Sequence, residues 1–367
     1  MKTDAGTALR QRILEFIKEV DLESDPAAVE PRFNALALEL FAYQFEHVAP
    51  YRKLCLKRGL FPGGIESWRQ IPAVSTTSFK SIPLFTGNPA EAAAVFYTSG
   101  TTRRQAGKHY FKTLDLYKTA ALRTFKWACM PDLDRISMLL LGPSREHFPN
   151  SSLGHMFSWI LESYGKKDSI VVFHANGLDT EAAISWLESH CAEKQPVMLL
   201  ATSLALWQFV TDDRFPERML LPDGSRVLDT GGYKTKKLNL TRRDFVSYVA
   251  QRFGLAEEWI FNEYGMTEMS SQYYETIFLS RAFGAQGKYA PPWLRSLACD
   301  PDSLKPLPAG ETGVLRHFDL ANVDSIAMLQ TEDIGSVQGR MLALEGRLMD
   351  AEPRGCSLLA EEIFQEA

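Results

Sequence analysis

No pair of cysteines in this 367-residue chain has the C-x-x-C spacing, and the five present, Cys55, Cys129, Cys191, Cys299 and Cys356, are odd in number and scattered. That pattern excludes a zinc-ribbon or disulfide-stapled design and reads as reduced thiols in a cytoplasmic protein. No apolar run approaches the roughly 18 residues that a membrane span requires. The N-terminal segment up to Asp25 interrupts its apolar residues with charges, so it lacks the apolar region of a secretory leader. Basic residues are not in excess: the net charge is -5 and the pI about 5.9, with Lys and Arg scattered along the chain. A phosphate backbone would meet no positive field, which argues against nucleic acid as a partner. The Walker spacing G-x-x-x-x-G-K-[ST] is missing too, as are internal repeats and low-complexity tails. What is present is apolar mass, 45% of residues, enough to bury a sizeable core in one large or two ordinary domains.

From about Arg10 to Leu60 apolar residues recur every three or four positions, which predicts helices that cap the fold. The turn-rich stretch around Pro62 to Ser81 reads as a connector, with Ser75 to Ser78 offering N-caps for a short helix. Short β-rich runs then alternate with helical ones. They are AAVFYTS before a helix near Leu114 to Trp127, RISMLLLG before Leu153 to Tyr164, SIVVF before Thr180 to His190, and PVMLLAT before Leu204 to Val210. This alternation predicts an α/β fold with parallel sheet and crossover helices. Further strands are expected at SRVLDTG, EWIFNEYG, GVLRHFDL and SIAMLQT, and the proline-rich PPWLRSLACDPDSLKPLPAGETG is expected to be a long surface connection.

Two runs carry chemistry. Tyr97-Thr98-Ser99-Gly100-Thr101-Thr102 sets hydroxyls around a glycine after a predicted strand. Backbone N–H groups and hydroxyls in such a turn can wrap a polyphosphate, with Gly100 permitting close approach; a cluster of this kind also serves as an ordinary turn. Downstream, Arg103, Arg104, Lys108 and His109 either assist with phosphates or form a solvated charged loop. The second run is Asn262-Glu263-Tyr264-Gly265-Met266-Thr267-Glu268, placed after EWIF, where Glu268 alone would read as a solvent-facing carboxylate.

Taken together and in this order, YTSGTT and YGMTE resemble the adenylate-forming superfamily of acyl-CoA synthetases, luciferase-type enzymes and peptide-synthetase adenylation domains. The resemblance implies a large α/β domain of mixed sheets and crossover helices that binds ATP and Mg2+. It implies that Thr98, Ser99, Gly100, Thr101 and Thr102 cradle the phosphates and that Tyr264, with Gly265 and Met266, lies against adenine. Thr267 would bond phosphate, and Glu268 would hold the metal. Asp229-Thr230-Gly231-Gly232 stands where the family carries the glycine pair that lines the adenine and acyl pocket. Asp333, in QTEDIG, matches the carboxylate that accepts bonds from ribose, although Glu332 replaces the family's glycine; Arg347 matches a hinge arginine that helps hold ribose or phosphate. By the same resemblance residues 1–338 form the adenylating domain and 339–367 a short hinge segment. The chain ends soon after that hinge, so the catalytic lysine that ordinary members take from a further domain is expected to be missing.

The ending, Pro353-Arg354-Gly355-Cys356-Ser357-Leu358-Leu359, resembles the acyl-protein synthetases of bacterial bioluminescence fatty-acid reductase systems, over nearly the whole length. That narrower resemblance implies adenylation of a fatty acid, acyl transfer to Cys356, and delivery to a cysteine of a partner reductase. A thiolate is a competent nucleophile toward an acyl-adenylate, and the neighbouring Arg354 favours the thiolate. Two other readings stay open: an acyl- or aryl-CoA ligase or carrier-protein acylase in which Cys356 is incidental, and an inactive nucleotide-binding scaffold. His147 and His155 lie near the family's substrate-carboxylate position or are loop histidines. Ser151 and Ser152 either cap the following helix or line a pocket, and Trp207, Trp259 and Trp293 are expected to pack. Tyr273 and Tyr274 either reach an acyl tunnel or pack in a strand.

Overall fold

The computed structural model describes residues 5–98, 106–233, 240–276 and 287–348, and the chain divides into two compact units. Unit 1 comprises residues 1–123, 265–273 and 289–367; unit 2 comprises 124–264 and 274–288.

Unit 1 begins with the helices predicted from the apolar periodicity, α1 (Ala5–Glu19), α2 (Pro26–His47) and α3 (Ala49–Lys57). Asp25 caps α2 by accepting from the Ala27 N–H, and Phe33, Leu36, Ala37, Leu40 and Phe41 form its buried face. Ser75, at the end of the two-residue strand β1 (Val74–Ser75), caps the 3-10 turn Thr76–Lys80, as the Ser/Thr cluster predicts. Strands β2 (Ala94–Tyr97) and β3 (Lys108–Phe111) follow, then α4 (Asp115–Cys129), within which the chain passes into unit 2. Here one expectation fails: β2 joins no parallel sheet but pairs antiparallel with β3, Tyr97 opposite Lys108. Its partner lies just beyond the hydroxyl-rich loop, so the alternation of strand and helix is interrupted there by a local hairpin.

Unit 2 is the parallel part of the fold. Strands β4 (Ser137–Leu141), β5 (Ile170–Val171), β8 (Val197–Thr202), β9 (Arg226–Thr230) and β10 (Ile260–Tyr264) lie in the order β10-β9-β8-β4-β5, all parallel, and the hairpin β6 (Phe173–His174) and β7 (Gly177–Leu178) stands apart. Helices α5 (Ser152–Tyr164), α6 (Thr180–Ala192), α7 (Ser203–Val210) and α8 (Arg242–Phe253) alternate with them. Met138, Leu139, Leu140 and Leu141 in β4, and Val197 to Ala201 in β8, are all fully buried, as continuous apolar strands covered on both faces require. Ser151 caps α5 through the Gly154 N–H.

One buried cation ties this unit together. Arg226, 1% exposed, forks onto both carboxylate oxygens of Asp132 at 3.0 and 3.1 Å, donates to the Cys129 carbonyl at 2.8 Å and lies over the Trp259 ring. Arg226→Ala is expected to destabilise the protein by about 3 kcal/mol in urea unfolding, with Arg226→Lys recovering only part because it cannot fork. A loss below about 1 kcal/mol would contradict that account.

Two-residue strands β11 (Tyr273–Tyr274) and β12 (Lys288–Tyr289) stand where the chain passes between units. Back in unit 1, β13 (Leu294–Cys299), β14 (Thr312–Asp319), β15 (Met328–Gln338) and β16 (Met341–Arg347) form an antiparallel ladder, with β1 parallel to β15. β13 corrects a second expectation, because it lies near the start of the proline-rich stretch read as a surface connection. The prolines flank the strand rather than interrupt it, and Trp293 and Leu294 are fully buried. No described helix is long and apolar enough to cross a membrane.

Candidate functional site

The hairpin β2–β3 carries the hydroxyl-rich loop. At its base the Thr98 N–H donates to the Gly107 carbonyl at 2.9 Å, and the Gly107 N–H donates to Thr98 Oγ1 at 2.8 Å, closing the loop at its neck. Space there is tight: a Cβ on Gly107 would stand 3.1 Å from the Thr98 side chain and 3.2 Å from the Phe79 backbone. Ser99, Gly100, Thr101 and Thr102 lie outside the described residues, as does Cys356.

Within unit 1 the turn holding Thr267 and Glu268 meets this hairpin. His109 Nδ1, from β3, donates to the Thr267 carbonyl at 2.7 Å. His109 is fully buried, which corrects its reading as part of a solvated charged loop, whereas Lys108 is exposed. The strand Lys108–Phe111 alternates exposed, buried, half-buried, buried, so His109 shares the inward face with Phe111, two positions on. Asn322, in the turn after β14, donates from Nδ2 to the Glu268 carbonyl at 2.7 Å. No sequence motif had singled it out.

Glu268 itself is half-buried. Burial pushes its carboxyl up to about 7, against the favourable fields of Arg347 and Lys80 and with Asp333 opposing ionisation. The sequence-predicted residues Glu268, Asp333 and Arg347 thus share one electrostatic neighbourhood. Asp333 of β15 and Arg347 of β16 are register partners, with Arg347 Nε 3.9 Å from Asp333 Oδ1 and its Nη2 2.9 Å from Glu332 Oε2. Glu332, the departure from the family glycine, therefore serves as an ion-pair partner for Arg347. Arg347 remains 64% exposed, so its guanidinium is still open to solvent.

Metal fit follows from donor chemistry. Among the described residues no cation lies within ion-pair distance of the Glu268 carboxylate, and no group of three metal-ligating side chains exists. A lone carboxylate suits Mg2+, which keeps water and takes the rest of its oxygens from substrate phosphates.

Gly231, Gly232 and Tyr264 belong to unit 2, at the carboxyl ends of the adjacent parallel strands β9 and β10, where Glu263 stands opposite Thr230. That end is where open parallel sheets bind ligands. Gly231 has φ +110, a conformation open to glycine; a Cβ there would meet only Ser203 Oγ, at 3.7 Å, and Gly232 has open space around it. Beneath them Asp229, fully buried, accepts from Ser203 Oγ, Tyr233 OH and Asn262 Nδ2 at 2.6, 2.7 and 2.9 Å. Burial raises the Asp229 carboxyl, and it pushes Glu263, bonded to the Thr230 hydroxyl, up to about 7. Gly265 and Met266 begin the unit 1 turn, closed by the Met269 N–H on the Met266 carbonyl at 3.1 Å.

Other sequence candidates have partners of their own within their units. His147 Nε2 is 3.1 Å from His174 Nδ1, and His155 Nε2 is 3.0 Å from the Pro149 carbonyl. Tyr273 OH bonds Ser296 and His317 in unit 1, and Tyr274 OH contacts Met156 in unit 2. Trp293 Nε1 donates to Ser271 Oγ at 3.1 Å, and the Trp207 ring lies tilted at 48° against Tyr248, centroids 4.9 Å apart.

Comparison with known proteins extends this arrangement. A 2-hydroxyisobutyryl-CoA ligase solved with 2-HIB-AMP and CoA superposes with a TM-score of 0.66 at 17% identity, covering 88% of this chain and 69% of that one. At that identity the likeness is one of fold, and it is the α/β adenylate-forming fold expected. In sequence the chain is 23% identical over 349 residues to the long-chain-fatty-acid–luciferin-component ligase of Aliivibrio fischeri, covering 91% of this chain and 89% of that protein. It is 22% identical over 338 residues to the ligase of the same name from Vibrio harveyi, covering 88% and 86%. The family model for acyl-protein synthetase, LuxE, matches residues 16–365, and the chain belongs to that family of acid–thiol ligases.

Proposed function

We propose that the protein uses ATP to convert a fatty acid to its acyl-adenylate, passes the acyl group to the Cys356 thiol, and delivers it to a thiol of a partner protein such as an acyl reductase. The observation that carries this reading is the gathering, within unit 1, of Thr267 and Glu268 with the neck of the Thr98 loop and the Asp333–Arg347 pair.

In the first half-reaction a carboxylate oxygen of the fatty acid attacks the α-phosphorus, the bond to the β-phosphate oxygen breaks, and pyrophosphate leaves. Thr98, Ser99, Gly100, Thr101 and Thr102 hold the phosphates through N–H and hydroxyl donors, and the Thr267 hydroxyl bonds the phosphate chain. Glu268 is the residue that would hold Mg2+, which when bound would supply neutralising charge at the phosphates. Asp333 accepts from the ribose hydroxyls, two oxygens suiting two donors, and Arg347 beside it binds ribose or phosphate. By the family resemblance the run Tyr264, Gly265 and Met266 matches the adenine-binding motif, and Gly231 and Gly232 match the glycine pair for adenine and the acyl group. In the second half-reaction the Cys356 thiolate attacks the acyl carbon and AMP leaves as a phosphate monoester.

The choice of Cys356 gains support by elimination. Cys55, Cys129 and Cys299 are buried and Cys191 half-buried, and burial raises every one of these thiols, Cys55 to about 12. Such thiols are poor nucleophiles at neutral pH. The test of the reading is ATP–pyrophosphate exchange across short, long and aromatic acids. Exchange stimulated by long-chain acids is expected; exchange with no acid at all would refute it.

A further inference from the structure

Thr267 and Glu268 stand in neither helix nor strand, and besides the local Met269–Met266 turn bond, side chains from elsewhere in unit 1 hold this turn. Two fully buried side chains take its consecutive carbonyls: His109 Nδ1 on Thr267 and Asn322 Nδ2 on Glu268, both at 2.7 Å. Asn322 is saturated, because Oδ1 accepts from Ser270 Oγ at 2.7 Å and Nδ2 also reaches the Ile326 carbonyl at 3.1 Å. Its own backbone is anchored, its N–H donating to the Asp319 carbonyl and its carbonyl accepting from Gln44 Nε2. Asp319 continues the clamp by accepting from the Ser270 N–H and the Ser271 hydroxyl. The His109 ring is fixed between Phe79 and Phe111, with centroids 5.8 and 4.1 Å away.

A carbonyl can only accept, so Nδ1 carries the imidazole proton. His109 Nε2 is then a bare acceptor, buried and without a partner among the described residues. The same burial holds the ring neutral, its pKa lowered to about 4.

Resting on the function proposed above, we infer that His109 and Asn322 are positioning residues for nucleotide binding: they lock two successive peptides so that the Thr267 hydroxyl and Glu268 carboxylate are held ready before ATP and metal arrive. Groups fixed beforehand spend no binding energy on ordering, which is why loosening them weakens the loaded state more than the fold.

The experiment is equilibrium binding of ATP, with and without Mg2+, alongside thermal unfolding. His109→Phe keeps the ring volume and removes the donor; about a tenfold loss of Mg-ATP affinity is expected. His109→Asn places an amide nitrogen where Nδ1 stood and is expected to bind within about threefold of the parent. Asn322→Asp keeps shape but sets an acceptor against the Glu268 carbonyl, and is expected to lose as much as His109→Phe. In a Thr267→Ala, Glu268→Gln background the His109→Phe effect is expected to fall below about twofold, since the groups being positioned are gone. The inference is overturned if His109→Asn binds as weakly as His109→Phe, if both single variants bind like the parent, or if the full loss persists in that background. Should His109→Phe fail to fold, the Asn322→Asp and His109→Asn results decide. A parent protein that does not bind ATP overturns the proposed function itself; a parent that binds, with unaffected variants, overturns only the clamp.

Discussion

Glu268→Gln is expected to slow acid-dependent pyrophosphate exchange by about 10² to 10³, the cost typical of removing one preorganised charge-stabilising group from an active site. Glutamine keeps the shape and the main-chain carbonyl that Asn322 holds, so the change isolates the charge. The carboxylate is poised for a cation rather than for the fold. Burial raises its pKa to about 7, and the described cations Arg347 and Lys80 act on it only at a distance. Removing a charge that the fold disfavours costs no stability, so thermal unfolding of the variant is expected to match or exceed that of the parent. The Mg2+ concentration giving half-maximal exchange is expected to rise as well. A variant that exchanges like the parent with unchanged Mg2+ dependence would remove Glu268 from the site.

Cys356→Ser is expected to separate the two half-reactions. Incubation with ATP and labelled fatty acid is expected to leave hydroxylamine-labile label on the parent and none on the variant, while pyrophosphate exchange stays within about twofold. The reason is nucleophile chemistry: a thiol supplies some thiolate at neutral pH, whereas a serine hydroxyl supplies almost no alkoxide. Cys55, Cys129, Cys191 and Cys299 cannot take over readily, because burial raises each of them. Retention of thioester label by the variant would exclude Cys356 as the carrier and favour direct transfer to coenzyme A or a carrier protein.

Much of unit 2 was legible in the sequence. Met138 to Leu141 and Val197 to Ala201 are unbroken apolar runs with glycine or proline beside them, and runs this short suit strands covered on both faces better than helices. Gly231 was singled out only through the family resemblance, and its φ of +110 was not read from the sequence. The misses were non-local or involved competing local signals. β2 finds its partner across the hydroxyl-rich loop, which its own four residues do not encode. β13 was hidden by flanking prolines, although Leu294 to Cys299 pairs register for register with β14. His109 sits in a run of cations and was weighed with them, yet burial depends on the strand face it shares with Phe111. Asn322 has no motif at all; its importance comes from reaching Glu268, 54 positions away in the chain.

The central claim is attack of a fatty-acid carboxylate on the α-phosphorus of ATP, and the fate of the carboxylate oxygens tests it most directly. With fatty acid doubly labelled with 18O in its carboxyl group, a single turnover followed by mass analysis of the nucleotide is expected to give AMP carrying one 18O atom. Unlabelled AMP, or label appearing in inorganic phosphate alongside ADP, would contradict the adenylate mechanism.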